Sequence, residues 1–328
     1  MHTPAIVFPE PNRIELRDVE LPPLWPRDVL IRTEFSFVST GTERWTLEGK
    51  MALRWDGGFK FPLVPGYQKV GRVEQVGAEV TGFQVGQRVF MTTGRVQGAT
   101  SGWGGHLQYS LESEGEVYAL PDALPGEEAA GLVVVQVGWN TGRRPAVEPG
   151  ALAVVIGDGI IGQFTAQALR ARGAQVWLAG RRTARLELGR QWSADRVLDV
   201  REEDLLTEIK RARPQGADIL VETVCRPEDT PSYIEMLRPR GQLVLAAYHA
   251  EANWVDLTPV QDKEITIHST GGWTRTGLDA TIAGILSGEF HVGPLITHRI
   301  PWQEAAVAYE RLVRDKAEDS MGIVIDWR

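Results

Sequence analysis

The fold is decided by one stretch, Ala153-Val154-Val155-Ile156-Gly157-Asp158-Gly159-Ile160-Ile161-Gly162. A short apolar run leads directly into G-x-G-x-x-G, and residues 163–172 then place apolar side chains at helical spacing. Strand, glycine motif and helix in this order predict a dinucleotide-binding site. A glycine-rich turn in some other α/β protein is the alternative.

Each glycine of the motif has a mechanical role. Gly157 permits the tight turn, Gly159 lets the backbone approach a pyrophosphate, and Gly162 lets the helix pack closely on its strand. The backbone N–H groups of the first helical turn, at Ile160 and Ile161, then face the phosphates. The helix dipole favours the negative charge of those phosphates, so these five residues are predicted to bind the cofactor.

Composition restricts the possible partners. The chain has 328 residues and a formal net charge of −8, which argues against nucleic-acid binding because that requires a basic surface. No segment approaches the roughly 20 apolar residues of a membrane span, and residues 1–11 lack signal-peptide features. We therefore expect a cytoplasmic protein that acts on a small molecule and binds no membrane. The single cysteine, Cys225, excludes an intramolecular disulfide and a cysteine-rich zinc site.

Strand and helix patterns divide the chain. Residues 1–125 carry β-strand patterns separated by Pro, Gly and Asp or Asn turns. Residues 127–141 predict a buried helix that Gly138 interrupts. Strand-like runs then alternate with helical segments, which predicts a doubly wound parallel sheet in an α/β protein. The six runs are 153–156, 175–179, 196–198, 218–222, 242–247 and 264–268. The last run, 323–327, has no place in this sheet, and we expect it to return to the N-terminal β domain.

Several landmarks outside the glycine motif carry a family resemblance. They are Pro-Gly-Tyr-Gln at 65–68, Val-Gly-Gln-Arg-Val at 85–89 and Gly-Gly-His-Leu-Gln-Tyr at 104–109. With the glycine motif, the chain resembles the medium-chain dehydrogenase/reductase superfamily. That resemblance implies a discontinuous GroES-like catalytic domain, residues 1–130 and 271–328, and a Rossmann dinucleotide-binding domain, residues 131–270.

The chain departs from the zinc-dependent members of this superfamily. Thr40 stands at the position of their catalytic cysteine, Tyr67-Gln68 stands where they have His-Glu, and residues 132–135 offer no third ligand. Zinc requires thiolate, imidazole or carboxylate ligands, so we expect no metal. Ser-Thr-Gly-Thr-Glu at 39–43, with Pro-Leu-Val-Pro-Gly-Tyr at 62–67, resembles the bacteriochlorophyllide a dehydrogenase-like subfamily.

The end of the second Rossmann strand predicts the cofactor. An NAD-binding fold places an acidic residue there to bind the ribose 2′-OH. This chain has Gly180, followed by Arg181 and Arg182. Glycine leaves room for a 2′-phosphate, and guanidinium groups can pair with it, which predicts NADP(H). Two exposed arginines in a loop are the alternative.

The remaining cofactor contacts are expected at the carboxyl ends of the later strands. Thr223 ends the fourth strand. Ala247 and Tyr248 follow the fifth, and Thr270 and Gly271 follow the sixth. The resemblance implies that the backbone in these last two places holds the nicotinamide amide.

Without a metal, a hydroxyl or an acid must handle the proton. Tyr67 takes the place of the family's histidine ligand and is predicted to be the proton donor. Thr42 corresponds to the family's proton-relay hydroxyl, and the neighbouring Glu43 and Gln68 are expected to orient the two. A Tyr67 that only fills the vacated metal site is the alternative. His106 and His249 are weaker candidates.

Tryptophans mark the expected substrate site. Trp45, Trp55 and Trp103 lie in segments that line the substrate cleft in this superfamily, and Trp273 joins them as a further candidate. The resemblance implies hydride transfer between the nicotinamide and a carbonyl or secondary alcohol. Reduction of a conjugated C=C bond, as in enone and quinone reductases, and a non-catalytic dinucleotide-binding role are the alternatives. The edge strand at 264–268 predicts a homodimer.

Overall fold

The computed structural model describes residues 1–53, 59–99, 103–224, 226–248, 256–314 and 317–328. Trp55, Cys225 and His249 lie outside the described residues. Two compact units make up the chain, residues 1–132 with 296–328, and residues 133–295. Within the described part of the chain, every helix is too short or too polar to cross a membrane.

The strands and helices follow one another along the chain in this order. The strands are β1 His2–Val7, β2 Glu15–Glu20, β3 Asp28–Val38, β4 Lys69–Val76, β5 Arg88–Met91, β6 Tyr109–Ser113, β7 Tyr118–Ala119, β8 Leu152–Ile156, β9 Gln175–Gly180, β10 Arg196–Asp199, β11 Ala217–Glu222, β12 Leu237–Leu245, β13 Thr266–Ser269, β14 Ile296–Pro301 and β15 Gly322–Asp326. The α-helices are α1 Thr40–Leu47, α2 Gly126–Ala130, α3 Leu132–Gly142, α4 Ile160–Ala171, α5 Thr183–Trp192, α6 Leu205–Ala212, α7 Thr230–Met236, α8 Thr258–Asp262, α9 Arg275–Leu286 and α10 Ala305–Tyr309.

The first unit is built on the long strand β3. It pairs antiparallel with β4, β6 and β15, within a sheet of order β14-β15-β3-β4-β5-β7. Strand β15 comes from the end of the chain, so the predicted return to the N-terminal β domain is confirmed. Apolar side chains of this unit pack into a core that surrounds the indole of Trp327.

The second unit is a parallel sheet of order β10-β9-β8-β11-β12-β13 with helical connections. Ala166 and Leu169 of α4 belong to the core on one face, and Leu205 and Ile209 of α6 to the core on the other. Burial on both faces explains why β8 is a continuous apolar run. The predicted doubly wound sheet is confirmed.

The second unit continues further along the chain than the domain boundary expected at residue 270. Residues 271–295 belong to it because their backbone is bonded to its helices. Asn140 on α3 donates to the Gly272 carbonyl at 2.7 Å. The side-chain oxygen of Gln167 on α4 accepts from the N–H of His291 at 2.8 Å.

The helical stretch 127–141 breaks at Gly131, between α2 and α3, and not at Gly138, where the sequence suggested an interruption. Gly138 lies inside α3, and a Cβ atom there would be 2.4 Å from the Cβ of Phe164. This glycine therefore serves close packing between α3 and α4.

Because β13 lies at the edge of the parallel sheet, we predict that it pairs with its copy in a homodimer. Light scattering should give twice the mass of the chain. Ile267 is 37% exposed on β13, and Ile267→Asp should shift the protein toward monomer. Val307→Asp, at a residue 75% exposed in the other unit, is the matched control and should leave the mass unchanged. A monomeric wild type would contradict the prediction.

Candidate active site

Two glycines allow remote segments of the first unit to meet. Gly66 has φ +85°, and a Cβ atom there would lie 2.5 Å from His106 Nε2. At Gly105 a Cβ atom would lie 2.3 Å from the carbonyl carbon of Gly66. The turn that carries Tyr67 can therefore pack directly on the segment that carries His106. These are the Pro-Gly-Tyr and Gly-Gly-His landmarks of the sequence.

Tyr67 lies among hydroxyl groups. Its phenol donates to Ser39 Oγ at 2.5 Å, and the Thr42 side chain is also hydrogen-bonded to it. Burial disfavours the phenolate and raises the pKa of Tyr67 to about 12, although the bonds to Ser39 and Thr42 act in the opposite direction. The structure thus places the predicted donor and the predicted relay side by side.

Glu43 is hydrogen-bonded to residues next to Tyr67. Its Oε1 accepts from the backbone N–H of Ser39 at 2.7 Å, one helical turn earlier. Its Oε2 accepts from His106 Nε2 at 2.9 Å and from the Tyr309 hydroxyl. The expectation that Glu43 orients Tyr67 holds only indirectly, because the carboxylate binds Ser39 and its charge opposes ionisation of Tyr67.

Ser39 and Tyr309 were not among the predicted site residues, and the structure brings them together with His106 around Glu43. Ser-Thr-Gly-Thr-Glu carries a capping pattern, which could have linked the Glu43 carboxylate to the backbone at the start of α1. Ser39 itself makes no side-chain cap because its hydroxyl accepts from Tyr67. Tyr309 gave no signal, since it lies 266 positions from Glu43.

The donor set does not fit zinc. Thr40 and Tyr67 offer hydroxyl groups and the fully buried Gln68 an amide, whereas zinc takes thiolate, imidazole or carboxylate. The nearby imidazole and carboxylate, His106 and Glu43, bind each other. Across the described residues, no three His, Cys, Asp or Glu side chains come together in a way that could hold a metal ion.

Trp103 is the predicted substrate residue that lies closest to this chemistry. Its ring packs edge-on against Tyr67, with centroids 5.1 Å apart, and against Phe59 at 4.7 Å. Trp45, on α1, is half-buried against the core of the same unit. Trp273 belongs to the other unit, where it precedes α9 and is half-buried.

A buried lysine holds the backbone next to Trp103. Lys69 Nζ donates to the carbonyl of Gly104 at 2.6 Å and lies 3.9 Å from Glu112 Oε1. Burial lowers the pKa of Lys69 to about 8, and the Glu112 carboxyl partly offsets this effect. The lysine therefore fixes the turn in which Trp103 adopts a φ of +82°.

The glycine motif forms a cradle in the second unit. A Cβ atom at Gly157 would lie 2.1 Å from Thr223 Oγ1, and one at Gly162 would lie 1.9 Å from the carbonyl oxygen of Gly157. The protein's own packing requires both glycines. At Gly159 the nearest atom would be Arg185 Nη1, 3.9 Å away, so space remains in front of Ile160, where α4 begins. This geometry fits a dinucleotide pyrophosphate.

The other predicted cofactor residues lie at one edge of the parallel sheet. Gly180 ends β9, and Thr223, Ala247 and Thr270 follow β11, β12 and β13 at the carboxyl ends of those strands. Ligands of open parallel sheets bind outside these ends. The flanking Tyr248 and Gly271 are both exposed.

The space beside Gly180 is filled, which the sequence analysis did not expect. A Cβ atom there would lie 2.4 Å from Asp158 Oδ2, the acidic residue inside the glycine motif. That oxygen accepts from the N–H groups of Arg181 at 2.8 Å and Arg182 at 2.9 Å, and Arg185 Nη1 lies 3.7 Å from Oδ1. A carboxylate is therefore present at this loop, with its charge shared among these donors.

Comparisons with known proteins agree with both units. Residues 26–122 match the alcohol dehydrogenase GroES-like domain family, and residues 161–284 match the zinc-binding dehydrogenase family. A putative D-xylulose reductase of Agrobacterium fabrum is 26% identical, over 96% of this chain and 97% of its own. A 2-desacetyl-2-hydroxyethyl bacteriochlorophyllide A dehydrogenase of Rhodobacter capsulatus is 28% identical, over 100% of this chain and 99% of its own.

Solved structures share the fold. A putative zinc-binding dehydrogenase from Sinorhizobium meliloti 1021, crystallised with NADP bound, has a TM-score of 0.85 at 18% identity. The superposition covers 99% of each chain. The GroES-like domain and the nucleotide-binding domain, matched in succession along the sequence, place the chain in the medium-chain dehydrogenase/reductase superfamily.

Proposed function

We propose that the chain is a zinc-independent, NADP(H)-dependent oxidoreductase that transfers a hydride between the nicotinamide and a carbonyl or secondary alcohol. The observation that carries the proposal is the cluster of the Tyr67, Ser39 and Thr42 hydroxyls. The family resemblance puts Tyr67 of this cluster at the position of a zinc-binding histidine. Support for an alcohol substrate comes from the relatives, whose names describe a polyol-type reductase and a hydroxyethyl-group dehydrogenase.

Proton transfer falls to Tyr67 in this proposal. The nicotinamide cofactor, when bound, supplies or accepts the hydride. As a carbonyl is reduced, its oxygen becomes a strong base and takes the phenolic proton of Tyr67. The hydroxyls of Ser39 and Thr42 can then donate to the phenolate that remains. In alcohol oxidation, the same groups return the proton in the reverse order.

We predict that the purified protein works without zinc. The donor set around Tyr67 lacks thiolate, imidazole and carboxylate groups free to bind it, so elemental analysis should find far less than one zinc per chain. Prolonged treatment with a chelator should leave hydride transfer unchanged. About one zinc per chain, removed together with activity, would overturn the prediction.

Tyr67→Phe should lower kcat by about 10²–10⁴-fold, the usual contribution of a positioned general acid, and leave the Kd of NADPH unchanged. The assay follows NADPH oxidation with a panel of ketones and a panel of enones. Tyr118→Phe, in the same unit, is the matched control. The wild-type rate of carbonyl reduction should not depend on Tyr67 ionisation below about pH 11, because the pKa of Tyr67 is about 12. Near-normal turnover of Tyr67→Phe would reduce Tyr67 to a space-filling role.

NADPH should bind more tightly than NADH, because Arg181 and Arg182 follow the end of β9, in the loop where we expect the 2′-phosphate, and guanidinium groups can pair with a phosphate. Arg182→Ala should raise the Kd of NADPH about 10-fold or more and leave that of NADH nearly unchanged. Arg190→Ala, at the far end of α5, is the control. A substitution at Gly180 is no clean test, since its Cβ would collide with Asp158. Equal or tighter binding of NADH to the wild type would contradict the proposal.

A further inference from the structure

A buried chain of hydrogen bonds leads to Glu43 from the end of the sequence. Trp327 Nε1 donates to Ser36 Oγ at 2.8 Å, and Ser36 Oγ lies 2.8 Å from His106 Nδ1. His106 Nε2 lies 2.9 Å from Glu43 Oε2. The four residues are at most 1% exposed, so water does not compete for these bonds.

The indole N–H of Trp327 determines which atom donates at the start of this series of hydrogen bonds. An indole N–H can only donate, so Ser36 Oγ is the acceptor of the bond from Trp327. The hydroxyl proton of Ser36 is then available to His106 Nδ1, and we assign it to that bond. The imidazole proton therefore lies on Nε2 and is donated to Glu43. His106 is neutral in this arrangement, and its tautomer follows from the network.

Glu43 accepts hydrogen bonds from three neutral donors. They are the Nε2–H group of His106, the hydroxyl of Tyr309 and the backbone N–H of Ser39. An ionised carboxylate accepts without donating, so it can satisfy all three. In the part of the chain that the structure describes, no lysine or arginine ion pair is recorded for this carboxylate. Its negative charge therefore stays uncompensated although it is buried, an arrangement that costs stability unless every oxygen is well hydrogen-bonded.

We propose that Trp327, Ser36 and His106 are positioning residues that keep Glu43 an uncompensated carboxylate next to the Tyr67–Ser39 hydrogen bond. Through the Ser39 N–H, the carboxylate fixes the residue whose hydroxyl accepts from Tyr67. Through its charge, it opposes ionisation of the phenol, which therefore keeps its proton until a strong base forms beside it. This inference rests on the proposed function of Tyr67 as the proton donor.

The donor and acceptor directions of these hydrogen bonds can be tested on the whole protein without substrate. Nitrogen-15 NMR of histidine-labelled protein, with His106 assigned by its loss in His106→Gln, should show a proton on Nε2 and none on Nδ1 near neutral pH. Protons on both ring nitrogens would mean an imidazolium that neutralises Glu43, and would overturn the proposal.

The effect on Tyr67 is tested by carbon-13 NMR of the labelled tyrosine ring, assigned through Tyr67→Phe. Glu43→Gln should lower the titration midpoint of Tyr67 by about one pH unit or more, a tenfold change in its ionisation constant. Glu48→Gln, the same substitution at the half-buried residue that follows α1 and pairs with Arg44 and Lys50, should leave it unchanged. An unchanged midpoint in Glu43→Gln would overturn the proposal.

Two histidine variants separate positioning from packing. His106→Gln keeps an N–H donor for Glu43 and should retain most of the wild-type midpoint of Tyr67, whereas His106→Leu should lower it. Equal midpoints in folded variants would contradict the role of His106. Should His106→Leu fail to fold, the Glu43→Gln titration and the nitrogen-15 spectrum still decide the matter. Normal turnover of Tyr67→Phe would refute the proposed function instead, and would leave these NMR results untouched.

Discussion

The close packing of Gly66 on His106 is the contact on which the candidate active site depends. Any side chain at Gly66 would enter the space of the imidazole, whose Nε2 lies 2.5 Å from the position of a Cβ atom. With that space free, one ring nitrogen reaches Ser36 and the other reaches Glu43. A buried carboxylate is tolerated only with donors on its oxygens, so the glycine indirectly makes Glu43 possible. Glu43 in turn holds the start of α1 and with it the partner of Tyr67.

In the second unit, glycines likewise allow close packing of neighbouring segments. Gly157 and Gly162 are needed because protein atoms occupy the space of their missing side chains, whereas Gly159 faces space that a ligand can fill. The motif thus separates the two glycines that the packing of the loop requires from the one that leaves open space in front of α4. Asp158 adds a second function, because its carboxylate fastens the loop after β9 to the motif through two backbone N–H groups. The glycine motif and the loop after β9 are therefore held together.

Local patterns predicted the elements, and distant contacts decided the site. The six parallel strands and the return of β15 follow from periodicity and turn residues, which are local properties. The contact of Glu43 with Tyr309 joins residues 266 positions apart, and no pattern in one sequence reports it. Gly138 shows the same limit, because a glycine that permits close helix packing looks in sequence like one that ends a helix. The filled space beside Gly180 also escaped prediction, since it depends on where the side chain of Asp158 points.

A proton donor without a metal has to meet two opposite requirements. It must keep its proton at neutral pH, and it must release it to the oxygen on which charge develops. Burial and the charge of Glu43 meet the first requirement by raising the pKa of Tyr67, while the hydroxyls of Ser39 and Thr42 meet the second by stabilising the phenolate. Glu43 raises the pKa of Tyr67, whereas Ser39 and Thr42 lower it, and all three lie at the start of α1. In our proposal this balance requires a neutral His106, because an imidazolium would cancel the charge that keeps the phenol protonated.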